Sequence, residues 1–393
     1  MSHLILNKEK KMKLTKLSLV AALAVSSAFA GGDIAPVEPV VEAPAPVVEA
    51  AACNANTTVS GKAQAYYYTT DGVDLFNKDS SELGAAVTLD VKHNITDNIS
   101  ANFTAVGFTN LGNKTSGYME GKETGAYLNV ANITATFGST TLVLGRQLID
   151  SPMFGSFDWL LAPSSYEAYT VVNSAINNVT LVGTYVTKLR PVNGGDNFVD
   201  LTDINDGNHY AFGAVYGADA LSASVWYYNI DAANYTQVYV DGGYNFGAAK
   251  VAVQYAATNY DAGLDSSAVA GKVEFSAANV NLMAAVSNVT DAAAGFVERD
   301  NFYTSSWNTF ASAIAVTNED TLSWKVSAST ELSGLNLEAS YAGYGDDGSE
   351  LDVIAGYDFT KCVSANAIFT STTANEANAD ASNALELIAT YKF

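Results

Sequence analysis

Covalent chemistry has few candidates in this chain of 393 residues. Its histidines are His3, His93 and His209, spread far apart along the sequence. A serine-hydrolase elbow would read Gly-x-Ser-x-Gly and a zinc protease helix His-Glu-x-x-His, and neither occurs. The two cysteines, Cys53 and Cys362, cannot make a four-cysteine metal cluster or a disulfide-rich scaffold. The acidic tract Asp196…Asp200…Asp203-Ile204-Asn205-Asp206-Gly207-Asn208 offers oxygen ligands to a hard cation. A calcium loop of the EF-hand kind places acidic side chains at positions 1, 3 and 5 ahead of a glycine. Here Gly207 arrives one residue early, so Asp200, Asp203 and Asp206 are weak metal candidates. A solvated acidic loop accounts for the same residues. No catalytic residue, cofactor or firm metal ligand emerges, and the chain reads as a non-enzyme whose chemistry is that of fixed charges.

Those charges are sparse and lopsided. Lys+Arg is 19 against Asp+Glu 41, a net charge of −22. Such a surface repels phosphate backbones, which excludes a nucleic-acid partner. Charged residues are only 15% of the chain, whereas soluble domains carry about 25%. Abundant tyrosine, phenylalanine and β-branched residues also exclude an acidic disordered protein.

The elements that must position these charges begin after an export signal. Lys8, Lys10, Lys11, Lys13 and Lys16 precede a short apolar run, Leu17 to Ala24. Ala28-Phe29-Ala30 supplies small residues for cleavage after Ala30, so residues 1–30 read as a signal peptide. The apolar run is too short to span a bilayer. Residues 31–56 form an acidic leader punctuated by Pro36, Pro39, Pro44 and Pro46, a composition that favours extended backbone without a core.

From residue 57 to the end, segments of about ten residues alternate between apolar or small and polar side chains. Val59, Gly61, Ala63, Ala65 and Tyr67 share one face of the first, with Ser60, Lys62, Gln64 and Tyr66 on the other. Leu322, Trp324, Val326 and Ala328 likewise oppose Ser323, Lys325, Ser327 and Ser329. A period of two is that of a strand with one apolar face. The predicted strands are 57–70, 82–92, 99–109, 125–137, 141–148, 166–173, 179–189, 210–217, 221–230, 236–246, 250–260, 267–277, 280–289, 321–330, 335–344, 350–359, 366–372 and 384–393. Short connections alternate with long ones, as in outer-membrane barrels. The expected fold is therefore an all-β transmembrane barrel of eighteen antiparallel strands over 57–393. Sixteen is the alternative, because the sixth and eighth segments are weakly patterned. The last segment sets Leu385, Leu387, Ala389, Tyr391 and Phe393 on one face and stops on the aromatic Phe393. Leu387, Ala389, Tyr391 and Phe393 resemble the recognition signal of the outer-membrane barrel-assembly machinery. Barrel closure brings Cys53, just before the first strand, and Cys362, in a short turn, to the same periplasmic rim. That oxidising compartment favours a disulfide between them, with two unpaired thiols as the alternative.

The middle of the chain carries a more specific likeness. Leu144-Gly145-Arg146-Gln147, then Asp150 and Pro152, then Asp158-Trp159-Leu160-Leu161-Ala162-Pro163, then Tyr166-Glu167, resembles the corresponding stretch of OprD-type porins. The whole chain is also similar to the major outer-membrane porins of the epsilon-proteobacterial branch. The Pro-rich leader departs from the OprD pattern, and basic residues after the motif are few. The resemblance implies that the third external loop, Ile149–Ser165, folds inward as a constriction, with Met153, Phe154, Phe157 and Trp159 packing it against the wall. It implies that Asp150, Asp158 and Glu167 bring negative charge to the eyelet, faced by Arg146, Lys188 and Arg190. Opposed charges would set a transverse field across the pore. Strict alternation, however, puts Arg146 on the face of Leu142 and Leu144, so its place in the lumen requires a bulge.

The expected function is a porin for passive diffusion of ions and small hydrophilic solutes, biased toward cations. A structural or adhesive surface barrel with a closed lumen is the alternative, and ion conductance separates the two. The expected partners are the lipid bilayer, lipopolysaccharide, the assembly machinery, small solutes and cations, and the resemblance adds a homotrimer.

Overall fold

The computed structural model describes residues 56–111, 124–158, 161–201, 207–308, 320–374 and 381–393. Eighteen strands form the wall. They are β1 (Thr57–Thr70), β2 (Ser81–Thr96), β3 (Ile99–Asn110), β4 (Thr124–Phe137), β5 (Thr140–Gln147), β6 (Ser165–Asn173), β7 (Val179–Arg190), β8 (His209–Ala218), β9 (Leu221–Ile230), β10 (Tyr235–Asn245), β11 (Ala249–Tyr260), β12 (Ser266–Ala277), β13 (Val280–Asp291), β14 (Thr321–Leu332), β15 (Leu335–Tyr344), β16 (Gly348–Asp358), β17 (Val363–Ala374) and β18 (Ser382–Lys392). Each pairs antiparallel with its neighbours in sequence, and β18 pairs with β1 to close the sheet. A two-residue strand, Val199–Asp200, adds to the outer end of β7 opposite Leu189 and Lys188. The sixth and eighth segments are full wall strands, so eighteen rather than sixteen is the number.

Alternation sorts the side chains. In β14, Leu322, Trp324 and Val326 are exposed on the outer wall while Ser323 is buried inside. The same holds in β2, where Leu83, Val87 and Leu89 face out and Ala86 and Thr88 face in. A closed sheet satisfies its own backbone groups and leaves no edge, which is what allows an apolar outer wall in a bilayer. Exposed aromatic pairs mark the ends of that wall. Tyr244–Phe246, Tyr357–Phe359 and Tyr391–Phe393 have ring centroids 4.6, 5.1 and 6.1 Å apart at the short-turn rim. Tyr210–Phe212 and Tyr67–Phe76 do the same toward the opposite rim, at 5.3 and 6.3 Å. These are the aromatic girdles of a membrane barrel.

The turns at one rim are tight because their residues accept positive φ. Ser333 and Gly334 both do so (53° and 83°) between β14 and β15, as a type I′ hairpin demands. Closure is completed by the last residue. Gly61 N donates to Phe393 O at 2.9 Å, and Phe393 N returns to Gly61 O at 3.0 Å. Beside it, Lys392 N donates to Cys362 O at 2.7 Å.

Candidate functional site

The wall is lowest at β5 and β6, of 8 and 9 residues. There the third external connection, 148–164, turns into the barrel rather than away from it. Two small closures shape it. Ser156 N donates to Ile149 O at 2.7 Å while Ile149 N donates to Ser156 Oγ at 3.1 Å. Ser164 N donates to Phe157 O at 3.0 Å while Phe157 N donates to Ser164 Oγ at 2.9 Å. Its apolar side chains anchor it at both flanks. Met153 and Phe154 are fully buried among Tyr166, Tyr228 and Tyr235, with Phe154 edge-on to Tyr166 at 5.2 Å. Leu161 and Ala162 pack on Tyr66, Val106, Phe108 and Tyr127 of β1, β3 and β4. The described residues of the loop therefore pack on two stretches of the wall, β6, β9 and β10 on one flank and β1, β3 and β4 on the other.

A second loop meets it there. The seventh external connection leaves β13 after Asp291, and its described part, 292–308, follows the inner wall. Gln237 Nε2 holds Gly295 O at 2.6 Å, and Tyr260 OH holds Ala293 O at 2.8 Å. Val297 N donates to Met153 O at 2.9 Å, and Phe154 forms a parallel bridge with Val297. Next to that bridge, Arg299 Nη1 sits 2.5 Å from Asp150 Oδ1. Gln254 then accepts Tyr303 N at 3.0 Å and donates to Asn301 O at 3.0 Å. Lys325 Nζ donates to Ser305 O at 2.7 Å. Each of these wall partners projects inward from a strand, so a long segment without secondary structure of its own is fixed rung by rung.

Asp150 thus has a cationic partner where the two loops meet, and it is Arg299, not Arg146. Arg146, Glu167 and Lys188 do meet. Arg146 Nε lies 3.4 Å and Lys188 Nζ 3.8 Å from the Glu167 carboxylate. But β5 keeps its register with β4 and β6 without a bulge, so Arg146 stays opposite Ala131 and Glu167. Gly145 adopts φ of 116° within that unbroken ladder. Arg146 therefore shares the outer face with exposed Leu144, and Glu167 shares it with exposed Tyr169 and Val171. The three form a charged row on the outside of the wall, with Phe198 stacked over the Arg146 guanidinium at 3.9 Å.

Arg190 is fully buried, stacked 3.9 Å over Tyr127, and its Nε donates to Gly195 O at 2.7 Å. It braces the loops instead of facing solvent. Asp158 is exposed at the margin of the third loop. Asp200 lies opposite Lys188. Asp203, Asp206, Trp159, Cys53 and Ala30 lie outside the described residues, and Cys362 is exposed in its turn. Leu387, Ala389, Tyr391 and Phe393 run along the closing strand and the terminus beyond it, paired with β1 and β17.

Sequence reading missed the seventh loop. The consecutive charges Glu298-Arg299-Asp300, set between Phe296-Val297 and Phe302-Tyr303, are the signal that could have found it. Asp300 folds under its own loop, accepting Phe302 N at 3.1 Å and Ser305 Oγ at 2.5 Å. Burial pushes its carboxyl up from 3.8 to about 6, against the pull of those hydrogen bonds, Arg299 and Lys325. Burial also raises Glu298, although Val192 N donates to it at 2.9 Å. A pKa raised in the packed loop means that packing is favoured by protonation. Asp300 therefore contributes its full stabilisation below about pH 4 and loses it as the pH rises through about 6. Amide protection factors of residues 299–308, corrected for the intrinsic pH dependence of exchange, should be higher at pH 4.5 than at pH 7.5, and Asp300→Asn should remove that difference. Equal protection factors at both pH values in the unmodified protein would refute this.

The comparisons fit this architecture. A family profile described as outer membrane porin, OprD family, matches residues 107–342. No curated protein matches the chain. Among solved structures, Pseudomonas aeruginosa OpdK with vanillate is similar at a TM-score of 0.73 and 14% identity, covering 86% of this chain and 98% of that one. Pseudomonas aeruginosa OccD3 (OpdP) is similar at 0.71 and 16%, covering 86% and 91%. Acinetobacter baumannii OccAB3 is similar at 0.71 and 15%, covering 86% and 99%. With more than half its length matched by the profile, and an aromatic-girdled barrel of eighteen strands around two inward loops, the chain belongs to the OprD family of bacterial outer-membrane porins.

Proposed function

We propose that the pore passes small hydrophilic solutes and ions passively, with a bias toward cations, through an opening bounded by the third and seventh loops. The observation that carries this reading is the Asp150–Arg299 pair, which sets opposite charges side by side where the two loops join. The cationic bias is supported by partly exposed carboxylates on the inward face, among them Glu82, Asp90 and Asp241. Rings of acidic side chains favour cations. The test is single-channel conductance and reversal potential of the refolded protein in a planar bilayer under a KCl gradient. A stable, cation-selective conductance supports the reading. An anion-selective pore would keep the porin and overturn the charge argument. Silence from a verified folded barrel would favour a structural or adhesive surface protein.

The ends and partners of the chain complete the proposal. Export removes residues 1–30, leaving the acidic leader 31–56 in the periplasm. The final strand addresses the barrel-assembly machinery, lipopolysaccharide surrounds the outer rim, and the assembly is a homotrimer. Cys53 and Cys362 pair at the periplasmic rim. Peptide mapping of protein purified from the outer membrane should give a cross-linked Cys53–Cys362 peptide that reduction splits. Recovery of both cysteines as free thiols would refute the pairing.

A further inference from the structure

The strands that close the barrel carry three lysines at the short-turn rim. Lys62 on β1 and Lys392 on β18 stand directly opposite one another in register. Both face inward, as do Gln64 and Thr390 in the next inward pair, joined at 3.3 Å. Lys92 lies on the same face of β2, opposite Thr58. Like charges directly opposite across a ladder are destabilising. Among the described residues none of the three lysines forms an ion pair. Of the inward carboxylates on these strands, Asp90 accepts Thr104 Oγ1 at 2.6 Å, and Glu386 accepts Tyr66 OH and Trp307 Nε1. Glu82 lies at the other end of β2. Lys62 and Lys92 are partly exposed and Lys392 is exposed. Thr88, directly opposite Lys62, is 6% exposed, and its hydroxyl has no partner. A hydroxyl donor beside ammonium groups is a set that a carboxylate fits.

The chain itself supplies the matching anion. The leader joins β1 at this rim and holds Asp33, Glu38, Glu42 and Glu49, with no lysine or arginine among them. Residues 31–55 lie outside the described residues. Building on the reading that export leaves the leader on the barrel, we propose that it doubles back into the periplasmic mouth, where Lys62, Lys92 and Lys392 bind its carboxylates. The reach suffices. Glu49 lies seven residues before Asn56, up to about 24 Å of extended chain, and Lys62 lies six residues after it, about 20 Å along β1. Pro36, Pro39, Pro44 and Pro46 favour extended backbone, so less conformational freedom is lost when the leader docks. Four carboxylates against three lysines leave the mouth acidic, in keeping with a bias toward cations.

A carbodiimide condenses a carboxylate with a lysine amine only where the two are in contact. The purified barrel with its leader, treated in detergent at low salt, should give amide-linked peptides joining Glu42 or Glu49 to Lys62, Lys92 or Lys392. These should be lost in about 1 M KCl, where the Debye length falls to about 3 Å. That comparison needs no substitution, so it holds even where a lysine variant fails to fold. A second readout alters the lysines. Cleavage of the leader by a glutamate-specific protease, read as mass lost from the intact barrel, should accelerate roughly three- to tenfold in the double variant Lys62→Gln, Lys392→Gln, as expected from two solvent-accessible ion pairs. Intact mass establishes whether the purified chain keeps residues 31–55. Their removal would overturn the leader reading and this proposal together. A retained leader that forms no cross-link to these lysines, forms them equally in high salt, or is cut at the same rate in the double variant would overturn this proposal alone, and leave the leader free for another envelope component. Neither readout is conductance, so the porin reading is tested separately.

Discussion

Arg299→Ala should make the pore markedly more cation-selective. Arg299 is the cation that Asp150 meets at the loop junction, 2.5 Å away. A unit charge about 6 Å from the ion path, in a medium of effective dielectric near 40, contributes roughly 1.4 kcal/mol, or about tenfold in relative ion occupancy. Removing it should raise K⁺ over Cl⁻ permeability by up to that factor, read from the reversal potential under a KCl gradient. Asp150→Asn should move the potential the opposite way. The paired variant should fall near the unmodified protein if the two charges act as one dipole. Arg146→Ala is the control. Its guanidinium lies on the outer wall beside Glu167 and under Phe198, so selectivity should not change. A reversal potential indifferent to Arg299 and sensitive to Arg146 would place the ion path elsewhere.

Gly61→Val should cripple closure of the barrel. A Cβ at Gly61 would stand 2.4 Å from Thr88 O and 2.6 Å from the Phe393 ring. Thr88 O belongs to the β1–β2 ladder, whose register holds Gly61 opposite Leu89, so it cannot withdraw without breaking backbone pairs. Phe393 is held by the two reciprocal hydrogen bonds to Gly61. Overpacking costs about 1–3 kcal/mol even where side chains can adjust, and here one neighbour is backbone. The urea midpoint of the folded form, followed by gel mobility without heating, should fall accordingly, and the folded yield with it. Gly107→Ala, a glycine with open space around it on β3, should leave the midpoint within the scatter expected of surface substitutions. Equal effects at both positions would remove the steric argument.

The strands were readable because their rule is local. Alternation at a period of two depends on each residue's own neighbours, and it locates every wall strand to within a few residues, even the weakly patterned sixth and eighth. The same rule puts Arg146 beside Leu144 on the outer face, and the structure follows it. The OprD likeness suggested a constriction charge there, but a family motif carries residue types and not the direction of a side chain in an unbroken ladder. Met153 and Phe154 were legible as loop anchors because large apolar side chains in a polar connection gain free energy only where a wall buries them.

The inward course of the seventh loop was not legible. Its fixings come from Gln237, Gln254 and Lys325 on three strands and from Glu350 and Asp352 on a fourth, each of which, taken alone, reads as an inward polar residue of an aqueous channel. By itself the sequence determined a closed antiparallel barrel with an apolar outer wall, the rim at which it closes, and the strand from which the third loop departs. Only the tertiary structure decided that Asp150 meets Arg299, that Glu167 binds its cations outside the lumen, and that Glu350 and Asp352 clasp Trp307 and Asn308. Period and turn chemistry act over a few residues, whereas these pairings join groups as much as 149 positions apart and exist only once every strand between them has taken its register.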